Sequence, residues 1–395
     1  MVAHLEEMPN EVFEGIAVCL DLADICSLRV CSRVISAKAT QEHFKSFFIS
    51  KRVEVIESAF DDFVAATHNG GLGCLVQNLV LVGLADCTTD PAGPVDESED
   101  TLTLTAALDA ALRNVRKYRR RGQLQCLTLE VRVCYDGPAQ RLLPSEAIIV
   151  TPRKELMRPS RETAKAVWRA AETLWDIAVN VLREAELPIL ALHAFDGPNM
   201  QACSLAAPQL NLPGLADGTY DATLSSLEVL SMSISSVWVP DYPVDELQYE
   251  EDDVEDPGPS EDEVAQEQAR AEALSNYNGL ANLLKHCLKL RDLDLHYFKM
   301  QPYHMFRDVS IDHERLFEQV ALLDDLPRLQ RCSLRGVIAR ENDLLTVVRR
   351  MRPRRLTFDN RSPGFRDIQT NPRLLLKRRS RPRGVALQRD LGAKP

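Results

Sequence analysis

The chain has 395 residues, a formal net charge of −11, 45% apolar and 27% charged residues. That composition suits a soluble globular protein with room for two domains at about 100–200 residues each. Net acidity makes nucleic acid an unlikely partner, and no run approaches the roughly 18 consecutive apolar residues of a membrane span.

The N-terminus MVAHLEEMP carries acids where a secretory signal has basic residues followed by an apolar block, so a cytoplasmic or nuclear location is expected. Pro9 suits the first turn of a helix, where a missing N–H costs nothing. Val12, Phe13, Ile16, Ala17 and Leu20 then recur at helical spacing and read as one apolar face. Asp21 is placed to cap a second helix, with Asp24 adding negative charge to its first turn. Leu22, Ile25 and Leu28, with Cys31 or Val30, form its apolar stripe. A third helical segment is expected over 36–48, with Phe44, Phe47 and Phe48 supplying bulk. Three short helices bury too little surface to be robust alone. They need a partner, or serve as a helical cap on the next domain, and periodicity does not separate these two.

In order and spacing, Met8-Pro9, Glu11-Val12, Ile16, Leu20, Asp24-Ile25, Leu28, Val30-Cys31 and Arg33 resemble an F-box. Met8 stands where the family has Leu, a swap of similar volume. The aromatic that often follows the Cys-Arg pair is absent, and Ile35 stands near its place. The resemblance implies binding to a Skp-type adaptor and, through it, to a cullin–RING ubiquitin ligase. The implied docking residues are Met8, Pro9, Val12, Ile16, Leu20, Leu22, Ile25 and Leu28.

From Lys51 the pattern changes. An extended segment with Val53 and Val55 precedes a helix carrying Ala59, Phe60, Phe63 and Val64, and then the turn HNGGLG (68–73). An aliphatic-x-x-Leu-x-Leu hexamer follows and recurs: VQNLVL (76–81), LQCLTL (124–129), LPILAL (187–192), LEVLSM (227–232), LRDLDL (290–295), LQRCSL (329–334) and PRRLTF (353–358). Their fourth residues are spaced by 48, 63, 40, 63, 39 and 24 residues. The physical reading is a set of short strands side by side, each returned by a helix packed behind it. This resembles an irregular leucine-rich-repeat solenoid, whose regular period is about 20–29 residues. A generic α/β domain is the alternative. LLKHCLKLRDLDLHYF (283–298) and DLPRLQRCSLRG (325–336) also resemble the strand openings of fungal F-box proteins with degenerate repeats. The strongest helix is 160–188, capped by Ser160, ended by Pro188, and carrying Trp168 and Trp175 on a broad apolar face. A second is ENDLLTVVRRM (341–351), with Leu344, Leu345, Val347 and Val348 inward.

Three segments read as unstructured. DCTTDPAGPVDESED (86–100) has loop composition. From Asp245 to Glu263 there are eleven acids and no Lys or Arg, too little apolar surface to order itself. From Arg373 to Pro395 there are eight basic residues and one acid, including KRRSRPR (377–383), a run of the nuclear-import type.

No motif of nucleophilic, phosphate-binding or metal chemistry is present. The ten cysteines, at 19, 26, 31, 74, 87, 126, 134, 203, 287 and 332, contain no CxxC pair and read as small hydrophobes. The eight histidines have no metal-ligand spacing. No catalytic residue, cofactor or metal is expected. Asp292 and Asp294 alternate along one strand, a pattern that also suits paired carboxylates in acid–base work. In a solenoid they would face the concave surface with His296, beside Arg331, Ser333 and Arg335 of the next hexamer, and contact an unidentified protein substrate.

The expected fold is therefore α/β. A three-helix F-box at 4–48 precedes an irregular leucine-rich-repeat-like body of short parallel strands and helices at 49–365. An acidic disordered insertion (245–270) and a basic flexible tail (372–395) complete it. The expected function is the non-catalytic substrate-recognition subunit of a cullin–RING ligase, the alternative being an F-box scaffold that acts without ubiquitination.

Overall fold

The computed structural model describes residues 5–86, 97–119, 122–134, 161–196, 203–235, 277–298, 315–337, 339–359 and 386–387. The acidic stretch, Ser160 and all of the basic tail except Ala386–Leu387 lie outside them.

Four short helices come first: α1 (Asn10–Ala17), α2 (Leu22–Cys31), α3 (Arg33–Lys38) and α4 (Glu42–Ser46). Local chemistry sets their ends. The Pro9 carbonyl accepts from the Val12 and Phe13 amides at 3.1 and 3.0 Å. Asp21 Oδ1 accepts from the Asp24 amide at 2.8 Å, and Ser32 Oγ from the Ile35 amide at 3.2 Å. These helices close over a core of their own, made by Phe13, Ala17, Ile25, Ile35, Ala39 and Phe44. The expected third helix is thus two, broken around Thr40. Ile35 fills part of this core.

The chain then enters a sheet through a three-residue turn. The Ile49 carbonyl accepts from the Gln77 and Asn78 amides at 2.7 and 3.0 Å, and β1 (Ser50–Glu54) pairs in parallel with β2 (Asn78–Asp86). Helix α5 (Glu57–Thr67) lies between them, with Phe60 and Phe63 fully buried. Next come α6 (Glu97–Tyr118), β3 (Leu124–Cys134), α7 (Arg161–Ala185), β4 (Ile189–Ala194), the two-residue β5 (Leu205–Ala206), α8 (Asp221–Leu224) and β6 (Val229–Ser235). The series ends with α9 (Asn278–His286), β7 (Asp292–Phe298), α10 (Arg315–Leu322), β8 (Arg331–Arg335), α11 (Glu341–Met351), β9 (Arg355–Asp359) and β10 (Ala386–Leu387).

Apart from β5, which pairs beside β6, every strand lies next to its sequence neighbour, in the order β1-β2-β3-β4-β6-β7-β8-β9-β10, and every pairing is parallel. Parallel crossovers have one hand, so an order that never reverses puts the helices on one face. All seven hexamers fall at strand starts, and their register explains why. Leu79, Leu127, Leu192, Leu230, Leu293, Cys332 and Leu356 are successive partners across the sheet. Two residues on, Leu81, Leu129, Ala194, Met232, Leu295, Leu334 and Phe358 form a second such row. Both rows belong to one continuous core with the inner faces of α5, α6, α7, α9, α10 and α11. Each fully buried Leu stabilises this layer by about 1.5–3 kcal/mol.

The structure corrects two further sequence expectations. In β4 the ladder uses Ile189, Leu192 and Ala194, so the repeat there is ILALHA, two residues beyond LPILAL. The segment read as a loop to residue 100 already belongs to α6 from Glu97. That helix buries Leu108, Ala111, Leu112 and Val115 at helical spacing. Two residues of the basic tail, Ala386–Leu387, pair with Arg355–Leu356. The long helix α7 matches its expected span. Trp175 is buried in the core and donates its indole N–H to the Gln209 carbonyl at 2.9 Å, while Trp168 packs at the core's margin. Gly83 of β2 allows α7 this close, because a Cβ there would stand 3.1 Å from the Ala170 carbonyl oxygen.

Truncating the ladder at its centre, Leu230→Ala, is expected to cost about 2–5 kcal/mol in urea unfolding. Thr357→Ala, on the opposite face, is expected to change stability by no more than about 0.5 kcal/mol.

Candidate functional site

Two surfaces carry side chains that the core does not use. The first is on the helical module. The expected single apolar face of α1 divides. Phe13 and Ala17 turn into the module's core, whereas Val12 is 50% and Ile16 39% exposed. Of the thirteen large apolar side chains exposed among the described residues, seven lie here: Leu5, Val12, Ile16, Val18, Val30, Val34 and Phe47. Pro9 is also exposed and Met8 half-buried. Leu20, Leu22 and Leu28 lean on the core with part of their surface outward. Ile25 is fully buried and forms part of the support, not of the outer surface. Val30 and Val34 are additions that the expected docking set lacked. The module is braced from behind. Lys38 Nζ donates to the Glu6 and Met8 carbonyls, the His43 amide donates to Glu14 Oε1 at 2.5 Å, and the Arg29 guanidinium lies 4.2 Å from the centre of the Phe44 ring.

The second surface is the polar face of the sheet, away from the helices. Along it Arg52, Val80, Thr128, His193, Ser231, Asp294, Ser333 and Thr357 are successive cross-strand partners. The structure brings all six expected substrate-contacting residues together on β7 and β8 of this face, and joins four of them in two ion pairs. Arg331 grips Asp292 with two hydrogen bonds, Nε to Oδ1 at 2.9 Å and Nη2 to Oδ2 at 2.7 Å. Arg335 does the same to Asp294 at 3.2 and 3.3 Å. His296 Nδ1 meets Ser233 Oγ at 3.2 Å. The two carboxylates are therefore tied separately to arginines and are not arranged as an acid–base pair. A basic ligand would have to displace those arginines. Exposed pairs of this type contribute about 0.2–1 kcal/mol each, so such exchange is affordable. At the other end of the sheet Arg52 pairs with Glu130, and Arg132 with Glu54 at 3.5 Å.

Between these charged ends lies a cluster that residue spacing did not reveal. His193 Nδ1 is 2.9 Å from Asp196 Oδ2, and Cys126 Sγ is 3.5 Å from Thr128 Oγ1. Hydrogen bonding to Asp196 and to Cys126 outweighs partial burial and lifts the His193 imidazole to about 10. Burial alone would raise the Cys126 thiol, but hydrogen bonds with His193 and Thr128 bring it below the usual range. Burial likewise works against the Asp196 carboxylate, and bonds with His193 and Ser231 lower it.

No family model matches the chain, and no curated protein matches it in sequence. Among the described residues, no helix is long and apolar enough to cross a membrane.

The folded chain holds the His193 proton more tightly than the unfolded chain, where histidine titrates near 6.5. That contribution to stability is complete below about pH 6.5 and is lost as pH rises through about 10. In an NMR titration His193 is expected to remain protonated at pH 8. Titration of its ring near pH 6.5 would contradict the arrangement.

Proposed function

We propose that the chain is the substrate-recognition subunit of a cullin–RING ubiquitin ligase. In this reading residues 4–48 are an F-box that binds a Skp-type adaptor, and the leucine-rich-repeat-like body presents a protein substrate. The observation that carries the reading is the concentration of exposed aliphatic side chains on a module that already has a core. A helical cap would spend its apolar surface on the body. This module closes over Phe13, Ile25, Ile35 and Phe44, and still exposes Val12, Ile16, Val30 and Val34. Burying four such side chains at about 1.5–3 kcal/mol each is enough for a stable complex after association costs.

The sequential parallel sheet with helices behind it supports the solenoid part of the reading. So does the direct passage from α4 into β1, which favours a fixed spacing between adaptor and substrate. The polar face of β7 and β8 is the proposed substrate surface, with Asp292, Asp294, His296, Arg331, Ser333 and Arg335 as its contacts. The catalytic step, ubiquitin transfer, belongs to other subunits.

Val12→Asp and Ile16→Asp are each expected to weaken binding to a purified Skp-type adaptor by more than about tenfold, the loss of one buried aliphatic anchor. Melting of both variants should match wild type, since neither residue is in a core. Ile25→Asp, in contrast, is expected to unfold the module. Undiminished adaptor binding by both surface variants would defeat the assignment. Cullin recovered together with the adaptor would favour a ligase; adaptor without cullin would favour a scaffold.

A further inference from the structure

We propose that Cys126, a thiol set beside the His193–Asp196 pair on the polar face of the sheet, is a redox-modification site that hydrogen peroxide oxidises to a sulfenic acid. In this proposal His193 supplies the proton and Asp196 orients the imidazole. It does not rest on the ubiquitin-ligase reading.

The placement follows from strand register. Thr128 of β3 is the direct partner of His193 on β4. Side chains alternate along a strand, so Cys126, Thr128 and His193 emerge on the same face, with Cys126 diagonal to the imidazole. Phe195, with φ of +57°, turns the chain at the end of β4, and Asp196 reaches back to His193 Nδ1 at 2.9 Å. One ring nitrogen is thereby committed to the carboxylate, leaving the other for the thiol. A nucleophile, an imidazole beside it and a carboxylate orienting that imidazole form an arrangement that activates nucleophiles in general. The other body cysteines whose side chains are described differ. Cys74, Cys203, Cys287 and Cys332 are buried, and burial pushes the Cys287 and Cys332 thiols up to about 12. Among the described residues, no group of three or more His, Cys, Asp or Glu is placed to hold an ion.

Few other groups bear on its titration. On β3 Glu130 shares the face and is paired with Arg52 of β1. From β2 the partner of Cys126 is Asn78, whose amide donates to Ser50 Oγ at 3.2 Å. From β6 comes the buried Ser231, bonded to Asp196. At the sulfur the charged imidazole favours the thiolate and the Asp196 carboxylate opposes it.

The chemistry balances without another reagent. The Cys126 thiolate attacks one oxygen of hydrogen peroxide, an S–O bond forms and the O–O bond breaks. The second oxygen leaves as hydroxide and takes the proton of the His193 imidazolium, giving water. Sulfur is oxidised by two electrons, the peroxide is reduced by two, and His193 ends neutral. The sulfenic acid is reversible by thiols.

The test uses the reduced full-length chain, treated with hydrogen peroxide at pH 6 in the presence of dimedone, with adducts located by peptide mass spectrometry. Cys19, Cys26 and Cys31 are exposed and serve as internal standards. Cys126, set beside the imidazole, is expected to react at least about tenfold faster than the three standards. His193→Gln should bring its rate down to theirs. Asp196→Asn should lower it in part, and serves if His193→Gln fails to fold; melting curves show which variants are intact. A Cys126 rate no higher than the standards, or an unchanged rate in folded variants, overturns the proposal.

Discussion

The body of this protein depends on one constraint. Each strand must place its buried residues opposite those of the strand before it. Two rows of largely aliphatic side chains run across the sheet from Leu79 to Leu356 and from Leu81 to Phe358, and the helices pack on these rows and on one another. Because strand side chains alternate, a slip of one residue anywhere would send that strand's apolar set to the polar face. Sequential parallel pairing follows, and with it a layer of helices on one side. The other side is left for hydroxyls, histidines and charges.

That division of labour explains which parts of the chain were legible in advance. The ladder imposes leucine at fixed spacing, so the strand starts could be read even where long segments separate them. Helix α7 announced itself through its apolar stripe and Pro188. The β4 repeat was misplaced by two residues because LPILAL and ILALHA both fit an aliphatic hexamer, and only the partner strand decides between them. Helix α6 was missed because Glu97 to Thr105 mixes acids with alternating Thr and Leu, while its packing face begins later, at Leu104 and Leu108.

The sites were less legible for a general reason: they are built across strands. Asp292 and Arg331 were named separately from two hexamers, and only the pairing of β7 with β8 makes them one ion pair. Cys126 reads as a small hydrophobe in LQCLTL, and His193 as one of eight histidines without metal-ligand spacing. Nothing within either strand indicates that a third residue, Asp196, would turn back to join them. In the N-terminal module the limit was different. Helical periodicity gave the apolar positions of α1 and α2, but not which of them face inward. The answer, Phe13 and Ile25 inside with Val12 and Ile16 outside, came from how the four helices close on one another.

The proposed account joins these two parts through a connection of three residues, from Ser46 at the end of α4 to Ser50 at the start of β1. A module docked on an adaptor would then hold the polar sheet face at a set position. The most direct measurement is amide hydrogen exchange of the full-length chain with and without a purified Skp-type adaptor. The account predicts added protection confined to residues 8–34, with the strands of the body unchanged. Protection on the sheet and none in the module, or no protection anywhere, would contradict it.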